Sequence, residues 1–138
     1  MGAYSQRKGA DGERELAAKL KEYGFKVERG GSLTFGLTPD ITGLPGIHVE
    51  VKRVERLNVP EAMRQAIRDA EAFLDGIPVL FHRRNRQPWL VTLRLDDFMS
   101  IYQVWRKEKY EKGEYNHVYV RTGNKNQSNS VRSNHEDV

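Results

Sequence analysis

Apolar and polar side chains alternate strictly along Ile47-His48-Val49-Glu50-Val51-Lys52. A period of two predicts a strand with Ile47, Val49 and Val51 against a core and His48, Glu50 and Lys52 on the opposite face. Elsewhere the period is three to four. Leu16, Ala17, Leu20 and Tyr23 predict a helix that opens over Gly9–Leu16, runs to Tyr23 and is capped by Gly24. Met63, Ala66, Ile67, Ala70, Phe73 and Leu74 stripe a second helix, which starts at Pro60 with Asn58 just outside and ends before Gly76. A third, opened by Asp96-Asp97 and reaching about Lys107, carries Phe98, Ile101, Tyr102 and Trp105 on one side. That stripe is core or, where wider than one sheet can cover, a dimer surface anchored by Tyr102 and Trp105. Strands near 25–29, 40–43, 47–53, 77–82 and 89–93 complete an α/β pattern, a mixed central sheet flanked by helices.

Candidate chemistry concentrates around the alternating strand. Leu44-Pro45-Gly46 can turn the chain so that Asp40 returns beside Glu50 and Lys52. Glu50 and Lys52 then lie about 7 Å apart along the strand, at ~3.4 Å per residue. Two carboxylates and one ammonium are what metal-dependent phosphodiester hydrolysis requires. The acids hold a hard cation such as Mg²⁺, which polarises the phosphate and acidifies a bound water. The lysine supplies positive charge where the transition state builds negative charge. Glu-x-Lys is also common on solvated strand faces, where such a pair contributes at most ~1 kcal/mol.

Three other features favour the chemical alternative. Glu13 falls on the apolar stripe of the first helix, a costly place for a carboxylate that nothing pairs. Arg29-Gly30-Gly31-Ser32 combines two adjacent glycines, which permit close backbone approach, with a hydroxyl. Gln65 lies on the flank of the second helix, within reach of the polar end of the neighbouring strand.

Pro39-Asp40 followed by Glu50-Val51-Lys52 resembles the PD-(D/E)xK nuclease motif, with an interval of 50 − 40 = 10 residues between the acids. Arg7-Lys8-Gly9, Glu13, Gly24–Val27, Arg29–Ser32, Pro39-Asp40-Ile41, Glu50-Val51-Lys52 and Gln65-Ala66 follow one another as in the archaeal-type Holliday junction resolvase family, with its bacterial and phage relatives. The resemblance covers about residues 6 to 100. It implies a restriction-endonuclease-like fold and a homodimer cutting four-way DNA junctions with Mg²⁺, or alternatively Mn²⁺. It further implies metal ligation by Asp40, Glu50 and Glu13, catalysis by Lys52, a role near the scissile phosphate for Ser32, and support from Gln65. Residues 33 to 38, Leu-Thr-Phe-Gly-Leu-Thr, depart from the basic loop that archaeal members often carry. Two alternatives therefore stay open: a general nuclease on branched or duplex DNA, and a non-catalytic DNA-binding module on the same fold. The intact set of Asp40, Glu50 and Lys52 argues against the module.

Charge fits a nucleic-acid partner without demanding one. The chain of 138 residues has 23 basic and 19 acidic side chains, a net charge of +4. From Gly113 on, Arg121, Lys125 and Arg132 are balanced by Glu114, Glu136 and Asp137, so the surplus belongs to residues 1–112. Arg29, Arg53, Arg56, Arg83, Arg84 and Arg86 are the candidate DNA contacts; the last three crown a turn between two strands. There is no cysteine, which excludes disulfides, thiolate zinc sites and cysteine nucleophiles. The four histidines, His48, His82, His117 and His135, lack the i, i+4 pairing of a histidine zinc site, and His48 and His82 read best as satisfied structural residues. No apolar stretch nears the ~20 residues of a membrane span, and no signal-peptide profile opens the chain, so a cytoplasmic protein with no membrane partner is expected. The organisation expected is one nuclease domain over 1–112 and a polar extension over 113–138, disordered from about 122.

Overall fold

Helix α1 spans Ala3–Glu22 and so begins six residues before Gly9, the expected start. The computed structural model describes residues 3–30, 38–110, 118–121 and 128–131. After α1 come β1 (Glu28–Arg29), β2 (Ile41–Thr42), β3 (Ile47–Arg53), α2 (Val59–Phe73), β4 (Ile77–Arg83) and β5 (Leu90–Thr92). These elements belong to one compact unit, Met1–Arg94. Its sheet has the order β1-β2-β3-β4-β5. Only β3 and β4 run parallel, paired from Ile47↔Ile77 to Arg53↔Arg83; β1–β2, β2–β3 and β4–β5 are antiparallel. The mixed sheet and the turn at 44–46 are as expected, with Ile41 opposite Val49.

Parallel neighbours cannot be joined by a tight turn, and α2 makes the crossover from β3 to β4. Its start is well defined. The Asn58 side chain accepts from the Glu61 N–H at 3.1 Å and Pro60 occupies the first turn, where its missing N–H costs nothing. Leu74 ends it at φ 51°, its N–H returning to the Ala70 carbonyl. Leu74 therefore leaves the apolar stripe and is exposed, while Ala62, not Met63, joins Ala66 and Ala70 in the buried face. Three alanines let the helix lie close to the sheet.

The sheet is covered on two sides. Leu16, Ala17 and Leu20 of α1 pack with Val27, Ile41, Val49 and Val51. Tyr23, expected in this stripe, is exposed. On the opposite parity of β3, His48 stacks on Phe73 of α2 at 6.1 Å between ring centroids, and Lys52 reaches Gln65. The face predicted to be merely polar is thus buried, with His48 1% and Glu50 4% exposed. Strict alternation suggests a strand with one wet face; the parallel partner and its crossover helix remove the water.

Gly12 sets the contact between α1 and β3. A Cβ there would fall 2.7 Å from the Arg53 Cβ, a distance the strand can relieve only by moving. Gly12→Ala gains up to about 1 kcal/mol of helix propensity but overpacks this contact by about 1–3 kcal/mol. Urea unfolding is expected to show net destabilisation of roughly 1 kcal/mol; equal or higher stability would mean that α1 shifts freely over the strand.

The second unit, Leu95–Val138, contains α3 (Leu95–Lys109), β6 (Val118–Arg121) and β7 (Ser128–Val131). In this unit α3 groups with the residues that follow it. Strands β6 and β7 pair antiparallel; of the stretch from 122 on, residues 122–127 and 132–138 are outside the described residues. Helix α3 buries no residue. Phe98, Tyr102 and Trp105 instead form a partly exposed ladder of rings, 6.2 and 5.8 Å between successive centroids. Among the described residues, no helix is long and apolar enough to cross a membrane.

Candidate nuclease site

Asp40 enters the site on the segment leading into β2. Its backbone carbonyl accepts from the Gly30 N–H at 2.9 Å. A Cβ at Gly30 would lie 2.1 Å from the Pro39 carbonyl oxygen, so glycine is what allows the end of β1 to approach Pro39-Asp40. The Asp40 carboxylate then accepts from the Val51 N–H at 2.9 Å. One hydrogen bond thus ties the first acid to the strand that carries the second.

Glu50 presents one oxygen 3.5 Å from Lys52 Nζ. Lys52 Nζ also donates to Gln65 Oε1 at 3.1 Å, so α2 orients the ammonium. Glu13 reaches in from α1, 3.5 Å from Arg29 Nη2. Burial, then the charge on Glu50, pushes the Asp40 carboxyl up to about 7; Glu13 adds to the rise, while the Val51 N–H and Lys52 oppose it. Glu13 is raised too, by burial first and Glu50 last, against the pull of Arg29. These three acids feel one another's charge, as three carboxylates gathered around one small volume must. The structure therefore brings together Glu13, Asp40, Glu50, Lys52 and Gln65. Ser32 lies outside the described residues.

The arginines divide into two groups. Arg29 faces Glu13, and its Nε is buried without a hydrogen-bond partner. Arg53 donates to Glu15 at 3.1 Å and to Asn85 at 2.7 Å, and Arg83 pairs with the same Glu15 and with the Gln87 carbonyl. Arg56, Arg84 and Arg86 are exposed, and Arg56 and Arg84 border a groove of about 990 Å³ between the segment after β3 and the β4–β5 turn. Glu15 was not singled out in the sequence; nothing local marks a helix glutamate as the shared partner of two distant arginines.

His48 and α2 add a cluster with no counterpart in the motif. Both oxygens of Asp75 lie 2.9 Å from His48 Nδ1. Burial lowers the proton affinity of the His48 ring, but Glu50 and Asp75 more than offset it, leaving it raised. Ligand atoms of His48, Glu50 and Asp69 lie within 4.8 Å of one another. The only signal for this in the sequence is the i, i+2 spacing of His48 and Glu50 on one strand face. His82 is the satisfied histidine expected, 2.9 Å from the Thr92 hydroxyl, its proton affinity lowered by burial.

A five-stranded mixed sheet with α1 on one side and α2 on the other, carrying Asp40 and Glu50-Val51-Lys52 on an antiparallel pair, defines a restriction-endonuclease-like nuclease of PD-(D/E)xK type. The chain belongs to the family described as "Phage putative PDDEXK endonuclease", which matches residues 4–134. Among solved structures it is similar to Archaeoglobus fulgidus Hjc, a Holliday junction resolvase from an archaeal hyperthermophile. That likeness has 23% identity and a TM-score of 0.46, over 62% of this chain and 72% of the other. Comparison with curated proteins gives no match.

Proposed function

We propose that this chain is a Mg²⁺-dependent endodeoxyribonuclease that resolves four-way junctions as a homodimer, each subunit cutting one strand. The observation that carries the nuclease chemistry is the convergence of Glu13, Asp40 and Glu50 with Lys52, at a position where Asp40 holds its proton up to about 7. An all-oxygen set of acids, in which the Glu50 charge raises the proton affinity of Asp40 and Glu13, fits a hard divalent cation, with Mg²⁺ the first choice and Mn²⁺ the alternative. Asp40 and Glu50 would hold it, with Glu13 completing the acid shell. The bound ion supplies Lewis acidity to the phosphate and a more acidic water. Lys52, steered by Gln65 and Glu50, offsets the negative charge that grows on the phosphorane oxygens. Arg29, 3.5 Å from Glu13, is proposed to pair with a phosphate when Glu13 would hold the metal. Ser32 is proposed to act near the same phosphate.

Junction selectivity is supported by the order of motifs along the chain. A junction offers two equivalent strands, and a two-fold dimer matches that symmetry. The exposed rings of α3 are proposed as part of the dimer surface. Labelled four-way, Y-shaped and linear duplex DNA, each with Mg²⁺ and with EDTA, test the proposal. Paired, metal-dependent nicks confined to the four-way substrate are expected. Cutting of all three would place the substrate among branched and duplex DNA generally, and no cutting in Mg²⁺ would leave a binding module.

Arg56, Arg84 and Arg86 are proposed as phosphate contacts, with Arg53 and Arg83 steadying the surface from which they project. Arg84→Ala is expected to weaken binding of all DNA alike and reduce the slope of log K against log salt by about 1. An unchanged slope would remove Arg84 from the interface. Arg83→Ala should additionally lower stability, because it leaves the half-buried Glu15 with Arg53 alone of its two arginine partners.

A further inference from the structure

We propose that His48, Glu50 and Asp69 form a second cation site, suited to a transition-metal ion such as Zn²⁺ and sharing only Glu50 with the catalytic acids. His48 is 1% exposed, held against Phe73 by stacking. Asp75, as a carboxylate, can only accept, so its two 2.9 Å contacts place the ring proton on Nδ1. In the neutral ring Nε2 is left with a lone pair. That atom is buried, has no hydrogen-bond partner, and lies 3.8 Å from Glu50 Oε2. Two buried acceptors facing each other are unfavourable unless something positive lies between them. Among the described residues no ammonium or guanidinium fills that role: Lys52 approaches the other oxygen of Glu50, and Arg68 Nε lies 3.9 Å from Asp69 Oδ1.

A small cation does fill it. Bonds of about 2.0–2.2 Å place its ligands roughly 3–4.4 Å apart, close to the present spacing, in which all three ligand atoms lie within 4.8 Å. A carboxylate on Nδ1 of a histidine whose Nε2 faces a metal is the usual way such a ring is oriented. One imidazole with two carboxylates favours Zn²⁺ over Mg²⁺, which prefers oxygen and keeps its waters. Asp69 is partly exposed and opens a route from solvent. The ion would tie β3 to α2 and fix the orientation of Glu50. Pairing of histidines along the sequence is not needed, because a strand and a helix supply the ligands. The inference does not rest on the nuclease proposal: Asp40 belongs only to the catalytic group and Asp69 only to this one.

Full-length protein freed of metal and titrated with Zn²⁺ tests this by calorimetry and by long-range ¹H–¹⁵N correlation of the imidazoles. Zn²⁺ is expected to shift His48 Nε2 into the metal-bound range while Nδ1 stays protonated. Asp40→Asn is expected to bind that Zn²⁺ as wild type does, and Asp69→Asn at least about tenfold more weakly. Asp75→Asn provides a second variant with loss in the same direction. The proposal is overturned if His48 Nε2 is unmoved or carries a proton, if only His82, His117 or His135 responds, or if Asp69→Asn binds Zn²⁺ like wild type. Failure of the catalytic proposal would show separately, as cleavage that survives Asp40→Asn.

Discussion

Asp40→Asn is expected to cut the rate of DNA cleavage in Mg²⁺ by on the order of a thousandfold or more while DNA binding stays as tight or tightens. The amide keeps the shape of the side chain, and its oxygen can still accept from the Val51 N–H, so the loop and β3 stay joined. What is lost is the negative charge proposed to hold the metal. Removing an anion from a surface that meets phosphates lowers repulsion, which is why affinity should hold or rise. Glu50→Gln is expected to behave alike in cleavage. Its charge faces Lys52 and His48 as well, so some stability should be lost with it. Single-turnover cleavage and a mobility-shift titration separate the two quantities. A fall in binding and in thermal stability together with cleavage would make these carboxylates structural; retained cleavage in Asp40→Asn would remove it from the active site.

Metal-free protein is expected to lose stability as pH rises from about 4 to 7. The Asp40 carboxyl titrates near 7 in the folded chain against an ordinary value of 3.8. Between those values the folded protein binds the proton and the unfolded chain has released it. Unfolding then releases protons, so raising the pH favours it, and the slope flattens once pH exceeds the folded value. A shift of about three units corresponds to roughly 2–4 kcal/mol after discounting for partial exposure. Raised His48 acts in the same sense, with stability present below 6.5 and lost as the pH passes its folded value. Comparison with Asp40→Asn isolates the aspartate: urea titrations from pH 5 to 8 should show a shallower decline in the variant. Mg²⁺ at pH 8 should restore stability to wild type only. Cleavage should rise through pH 7 as Asp40 ionises. Parallel pH curves for wild type and variant would show that Asp40 titrates normally.

Much of the site could be read along the chain because its local signals agree. Asn58 and Pro60 mark the start of α2, and Leu44-Pro45-Gly46 sets the turn that returns Asp40 to β3. The misread positions have tertiary causes. Gly9 reads as the opening of α1, yet the helix begins at Ala3 and runs through it; Gly12, inside the helix, is where Arg53 packs closest. His48 and Glu50 look wet because alternation reports one covered face, whereas parallel pairing with β4 brings α2 over the other. The partners Glu15, Asp69 and Asp75 carry no pattern of their own; distance along the chain hides them from any periodicity. Tyr23 and Leu74 were assigned to stripes by continuation past the last turn, where the helix has already ended.

The turn after β4 is stitched to the segment after β3: Arg53 holds the Asn85 side chain, Glu55 accepts the Asn85 N–H at 2.9 Å, and Gln87 returns its N–H to Arg84 at 3.2 Å. Folding has therefore already spent the freedom of the backbone that displays Arg84 and Arg86. A docking nucleic acid needs to still only their side chains, each of which costs about 0.5–1.5 kcal/mol of ordering entropy. If Arg84 and Arg86 meet DNA as proposed, such a platform would behave as a rigid ruler of charge, favouring phosphates that arrive with matching spacing and direction and selecting by backbone shape without reading a base.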